Sequence, residues 1–345
     1  MWISVYTKFI VSSISIGIAL FVIYILLLLS PYIDGSYPNE RLLLYALTDQ
    51  QTNQTTSALN KKGLDLINSG NYSEAIIYFD KALAMNSSNV NALNNKAFAL
   101  SSLGNYSEAI SYYDKALAIE PDDATVLNNK GLVLYSLGSY YQAITYYDKA
   151  LAIEPNYATA LNNKGLALEK LGKNKEAIIY FDKALAVEPN YATALNSKGV
   201  ALTNLGNYSE AISYYDKALA IEPNYALALD NKAFTLHKFG RNNEAIIYYN
   251  KLLAINANNA QALNDKGEVL MELGKNKEAI TYFDKALAIE PNYATALNNK
   301  GVALANLGNY YEAIKYIDKA LAIEPDDALA LDNKNKILDL LSKQK

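Results

Sequence analysis

ATVLNNKGLVLYSLGSYYQAITYYDKALAIEPNY, residues 124–157, holds two amphipathic helical patterns on either side of one glycine, and the pattern starts again at residue 158. The first places Leu127, Gly131, Leu134 and Leu137 at intervals of four, three and three, one face of a helix with 3.6 residues per turn. The second places Ala143, Ile144, Tyr147, Ala150 and Leu151 at the same kind of spacing. Gly138 between them takes a positive φ without steric cost, which lets the chain reverse. Pro155 ends the second helix, because proline has no amide hydrogen and restricts the residue before it.

The 34-residue block recurs eight times without a gap: 56–89, 90–123, 124–157, 158–191, 192–225, 226–259, 260–293 and 294–327. One block cannot bury its own apolar face, so the blocks are expected to stack on one another as one elongated all-α solenoid. Small residues set how closely the helices approach. Gly131 in the first helix and Ala143 in the second lack the bulk that would hold the axes apart, and Tyr147 fills the space beside them. Both small residues recur, as Gly63, Gly165, Gly199, Gly267 and Gly301 and as an alanine in every copy from Ala75 to Ala313. Pro155 has no counterpart at Ser87 or Ala257, so the first and sixth blocks are expected to end less sharply.

In these features the chain resembles the tetratricopeptide repeat family: the length of 34, small residues at the helix crossing, an aromatic in the second helix and a closing proline. Gly131, Leu134, Ala143, Tyr147, Ala150 and Pro155 carry the match, which extends over about four fifths of the chain. Leu127 departs from the family's frequent tryptophan, and Lys130 stands where leucine is usual. The resemblance implies a right-handed superhelix whose first helices line a concave groove for a protein or peptide, with no catalysis and no cofactor. The residues it places in the groove are Asn94, Phe98, Asn128, Tyr135, Asn162, Glu169, Asn196, Asp230, Phe234, His237, Asn264 and Met271. The asparagines would form a ladder of amides able to engage a peptide backbone, or else a solvated face copied by duplication. Phe98 and Phe234 are candidate aromatic anchors, or packing residues. The family's lysine clamp for a C-terminal carboxylate is not reproduced, since Asn94 and Asn162 stand where lysine is required.

Composition narrows the function classes. With Lys+Arg 31 against Asp+Glu 35 the net charge is −4, too acidic for a surface that tracks phosphates, so nucleic acid is not an expected partner. Absence of cysteine removes disulfides and thiolate metal sites. His237 is the one histidine, without the spacing of a usual metal cluster or of a Ser–His–Asp site, and is read as structural or groove-lining. No GxxxxGK[ST] phosphate loop occurs.

The two ends differ from the repeats. FIVSSISIGIALFVIYILLLL, residues 9–29, is uncharged and spans about 31 Å as a helix, enough to cross a bilayer. Its apolar run exceeds that of an ordinary signal peptide, so residues 1–30 are read as an uncleaved transmembrane anchor in preference to a cleaved leader. Lys8 favours a cytoplasmic N-terminus with the repeats outside. Residues 31–55 are read as a polar linker around the apolar patch 42–47, which is a candidate helix packing on the first repeat, and residues 328–345 as a capping helix with Leu331, Leu338 and Leu341 on one face. The chain is thus expected to be a membrane-anchored interaction scaffold. The alternatives are a binder of a glycan or cell-envelope polymer, or a non-catalytic subunit of an envelope enzyme complex.

Overall fold

The computed structural model describes residues 38–343, which form helices joined by short turns, with no strand among the described residues. The chain divides into two compact units, Met1–Leu137 and Gly138–Lys345. The division falls between the two helices of the third repeat; a stack held by nearest-neighbour contacts has no boundary of its own at the edge of a copy.

In the first unit, α1 (Pro38–Asn68) pairs with α2 (Tyr72–Met85) and α3 (Val90–Ser102) pairs with α4 (Tyr106–Ile119); α5 (Ala124–Ser136) follows. The stretch expected to be a linker is therefore helical from Pro38 onward. Proline suits the first turn of a helix, and no glycine or proline interrupts residues 39–62. Residues 9–29 lie outside the described part, within which no helix is long and apolar enough to cross a membrane.

The second unit opens with α6 (Tyr140–Ile153) and continues with α7 (Ala158–Lys170), α8 (Asn174–Val187), α9 (Ala192–Asn204), α10 (Tyr208–Ile221) and α11 (Ala226–Lys238). It closes with α12 (Asn242–Ile255), α13 (Ala260–Glu272), α14 (Asn276–Ile289), α15 (Ala294–Asn306), α16 (Tyr310–Ile323) and α17 (Ala328–Ser342). From the second repeat on, first helices have 13 residues and second helices 14, so the register never slips.

Glycine and alanine act as the spacing predicts. Gly138 and Gly206 sit in the left-handed region, φ 75° and 79°, where a side chain would be strained. Gly199 lies beneath the ring of Tyr215, and a methyl group there would meet Cε1 at 2.5 Å. Alanine takes this place at Ala97 and Ala233, against Tyr113 and Tyr249, so the contact tolerates one methyl when the ring shifts. The alanines of the second helices, such as Ala211, Ala245 and Ala279, are fully buried. Leu137 instead ends exposed at the helix terminus.

Two expectations are corrected. The first and sixth repeats end as sharply as the others: α2 stops at Met85 and α12 at Ile255, the same places as in copies with proline. Asparagine does the work there, because Asn86 Oδ1 accepts from the Ser88 amide at 3.0 Å and Asn256 Oδ1 from the Asn258 amide at 3.1 Å. In α17 the buried residues are Ala330 and Ile337, while Leu331 and Leu338 are exposed. The helix keeps the register of a repeat's first helix, so its inward positions are those of Ala296 and Ala303 in α15.

From the second repeat on, a lysine at the seventh position ties its copy to the one before. Lys198 Nζ donates to Asp182 Oδ1 of the preceding repeat at 2.5 Å and to the Tyr214 hydroxyl of its own at 2.7 Å. Burial pulls the Lys198 ammonium down, but the hydrogen bonds and charges of Asp182 and Tyr214 outweigh it and hold its pKa above the ordinary lysine value. Lys96 with Asp80 and Tyr112, and Lys232 with Asp216 and Tyr248, repeat the arrangement. One junction breaks it: Lys266 meets the neutral Asn250 where the others have aspartate.

Candidate functional site

The residues assigned to the groove occupy positions five, nine and twelve of successive first helices, spaced by four and three and hence on one face. The asparagines at position five are tied to the next repeat. Asn95 Nδ2 donates to Asn60 Oδ1 at 3.1 Å and Asn129 to Asn94 at 3.0 Å in the first unit. In the second unit Asn231 donates to Asn196, Asn299 to Asn264 and Asn333 to Asn298, at 3.0–3.1 Å. Asn128, Asn162, Asn196, Asn264 and Asn298 are buried. The ladder thus joins copy to copy, which leaves less amide capacity for a ligand than the sequence suggests.

The ladder lacks two rungs in the second unit. Ser197 stands where asparagine donates elsewhere, and its hydroxyl bonds to Thr193 O in its own helix. Asn162 Oδ1 is left buried without a hydrogen-bond partner. At the junction of the sixth and seventh repeats, Asp230 and Asp265 replace both asparagines of a rung, so two acceptors occupy a donor–acceptor position. Burial raises the Asp230 pKa. Asp265 is pushed up to about 6, first by burial and further by the charges of Asp230 and Glu268, against the opposing Asn264 hydrogen bond and His237.

That pair has a pH consequence. A carboxyl whose folded pKa lies above its unfolded value stabilises the fold at low pH, and the contribution is lost as pH rises through the folded pKa. For Asp265 the window runs from about 4 to about 6, the ordinary aspartate value to the raised one. Asp265→Asn restores the rung, so it should stabilise the protein at pH 7 by up to about 3 kcal/mol. Thermal unfolding of parent and variant from pH 4 to pH 8 checks this, with the gap between them closing toward pH 4.

The unlike positions differ in exposure. Phe98 is half-buried and meets the Tyr72 ring edge-on, centroids 6.5 Å apart. Phe234 is 44% exposed, with Lys238 Nζ 5.3 Å from its ring centre. Tyr135, Glu169 and Met271 are half-buried, and Glu169 Oε1 accepts from Asn204 at 3.4 Å. His237 Nδ1 lies 3.0 Å from Asn242 Oδ1, whose amide nitrogen in turn donates to Glu272 at 3.2 Å. Sequence reasoning missed Asp265 and the ladder donors at position six. The signal was present: aligning position five of one copy with position six of the next sets Asp230 against Asp265.

Five family models described as tetratricopeptide repeat match, over residues 56–89, 90–123, 122–190, 202–266, and 162–226 with 264–328. The chain belongs to the tetratricopeptide repeat family. No curated protein matches its sequence. Among solved structures, a tetratricopeptide repeat protein from Parabacteroides merdae is similar at 21% identity and a TM-score of 0.56, over 73% of this chain and 99% of that one. PilF of Pseudomonas aeruginosa is similar at 25% identity and a TM-score of 0.53, over 60% and 94%. A chain of the Cut9–Hcn1 hetero-tetramer of APC/C matches at 17% identity and a TM-score of 0.62, over 88% of this chain and 60% of that one. The repeats make the chain an all-α solenoid of the kind that serves as a protein-interaction scaffold.

Proposed function

We propose that this tetratricopeptide repeat protein is a non-catalytic scaffold, held at a membrane by residues 1–30, that binds a protein or peptide on the face of its first helices. The observation that carries the reading is the exposure of Phe234 on that face, in a copy whose neighbouring positions also depart from the repeat. A large aromatic that is half open to solvent and flanked by a lysine is the kind of residue that supplies binding energy when a partner covers it. The uniform copies add little specificity, because their asparagines are engaged with one another. Lys8 on the amino-terminal side of the apolar run supports a reading with the repeats outside the cytoplasm.

A photo-reactive residue introduced at Phe234 in intact cells tests the binding face, and protease protection of the repeats in the same cells tests the membrane side. Protein adducts at position 234 support the scaffold. Adducts with polysaccharide alone favour the second reading, a binder of an envelope polymer through the remaining polar face.

A further inference from the structure

The junction of the sixth and seventh repeats departs from the others in both devices that tie copies together: the lysine keeps its hydrogen bonds but has no charged partner, and the amide rung is missing. Lys266 faces Asn250 in place of an aspartate, and Asp230 and Asp265 replace the amide rung. On the same pair of helices, α11 contributes His237 and α13 contributes Glu268 and Glu272, one turn apart on one face. One donor atom from each of the three lies within 4.8 Å of the others. His237 Nε2 is 4.0 Å from Glu268 Oε1, and Nδ1 is 3.5 Å from Glu272 Oε2.

We propose that His237, Glu268 and Glu272 form a site for a divalent first-row transition metal ion, with zinc the best match, that ties the sixth repeat to the seventh. Three observations support it. The imidazole is pre-oriented: its side chain is 9% exposed, and Asn242 engages Nδ1, which leaves the Nε2 lone pair for a metal. The same Asn242 holds Glu272 through its amide nitrogen, so a single residue positions two of the three ligands. Glu268 occupies a position that is apolar in the other seven copies, so it is not a residue the stacking requires.

The chemistry selects the ion. One imidazole and two carboxylates suit zinc and its neighbours better than calcium or magnesium, which favour all-oxygen shells. Donors at 2.0–2.2 Å from a tetrahedral ion lie roughly 3.4 Å from one another, so atoms now within 4.8 Å must close by up to about 1.4 Å, and Glu272, which lies on the Nδ1 side of the ring, must swing toward Nε2. Their side chains are 41% and 50% exposed and have room to move. Asp265 adds a carboxyl group near Glu268 and His237. Three protein ligands leave a fourth position open for water or for a carboxylate of a partner.

Calorimetric titration of the full chain, purified without a polyhistidine tag, with zinc chloride is the test. One equivalent should bind, and Glu268→Gln and Glu272→Gln should each weaken binding by roughly tenfold or more. Glu210→Gln, at an exposed position of α10, should leave it unchanged. Cobalt should give a visible absorption band that is lost in the same two variants, and the His237 Nε2 resonance should shift on zinc addition. Absence of binding, binding that survives both glutamine variants, or a His237 signal indifferent to zinc would overturn the site.

Discussion

Asp182→Ala should destabilise the fourth and fifth repeats by about 2–3 kcal/mol, because it removes the carboxylate from an ammonium that stacking has taken out of water. Lys198 is buried and donates to Asp182 and to the Tyr214 hydroxyl. Replacing Lys198 itself with methionine removes the charge along with its partner's role and should cost much less, since an apolar group of similar size replaces a buried ion with little penalty. The chain contains its own comparison at Lys266, which has Asn250 for a partner. Asn250→Asp should therefore stabilise the sixth and seventh repeats by about 1–2 kcal/mol, the increment of a hydrogen bond becoming charge-assisted. Chemical denaturation of the four proteins gives the ranking. Equal midpoints for the parent and Asp182→Ala would show that the interlock adds nothing.

Ala211→Trp should cost about 3 kcal/mol, the upper part of the range for overpacking. Ala211 is fully buried in α10, in one cluster with Leu202 and Tyr215. An indole there has to displace one of these neighbours, and Tyr215 is already held over Gly199. Its hydroxyl also shares a small network with Thr203 and Thr235, which a shift of the ring would break. The effect should be local, as each repeat contacts only its neighbours, so hydrogen exchange should accelerate in the fourth to sixth repeats and not in the eighth. A melting temperature equal to the parent's would remove the close-approach argument.

Much of this fold was readable because the residues that set helix approach are also the ones that recur: glycine or alanine at position eight, alanine at twenty, and at twenty-four an aromatic in the first seven copies, with Ile317 in the eighth. The hydrogen-bonded interlocks were not. Lys130 was legible only as a departure from the family's usual leucine, because its partners in copies such as Lys198 sit sixteen residues away on either side, one in the preceding repeat and one in its own. The asparagine ladder was visible as a row, but its hydrogen bonds run between position five and position six of the following copy, a separation of 35 that reading one copy at a time does not register. In the same way, His237 looked isolated until α13 brought Glu268 and Glu272 beside it. Asn86 and Asn256 end the second helix without proline, through a side-chain hydrogen bond two residues on that has no signature as plain as a missing amide hydrogen.

The uniform positions thus hold copies together, and the positions free to differ gather in the sixth and seventh repeats. Partner binding is proposed at those departures. Photo-cross-linking at Phe234, compared with Ile247 on the exposed side of α12, tests this most directly. Partner binding on this face gives protein adducts at 234 that vanish when excess unlabelled parent protein competes, and none at 247. Equal labelling at the two positions, or no protein adduct at 234, would contradict it.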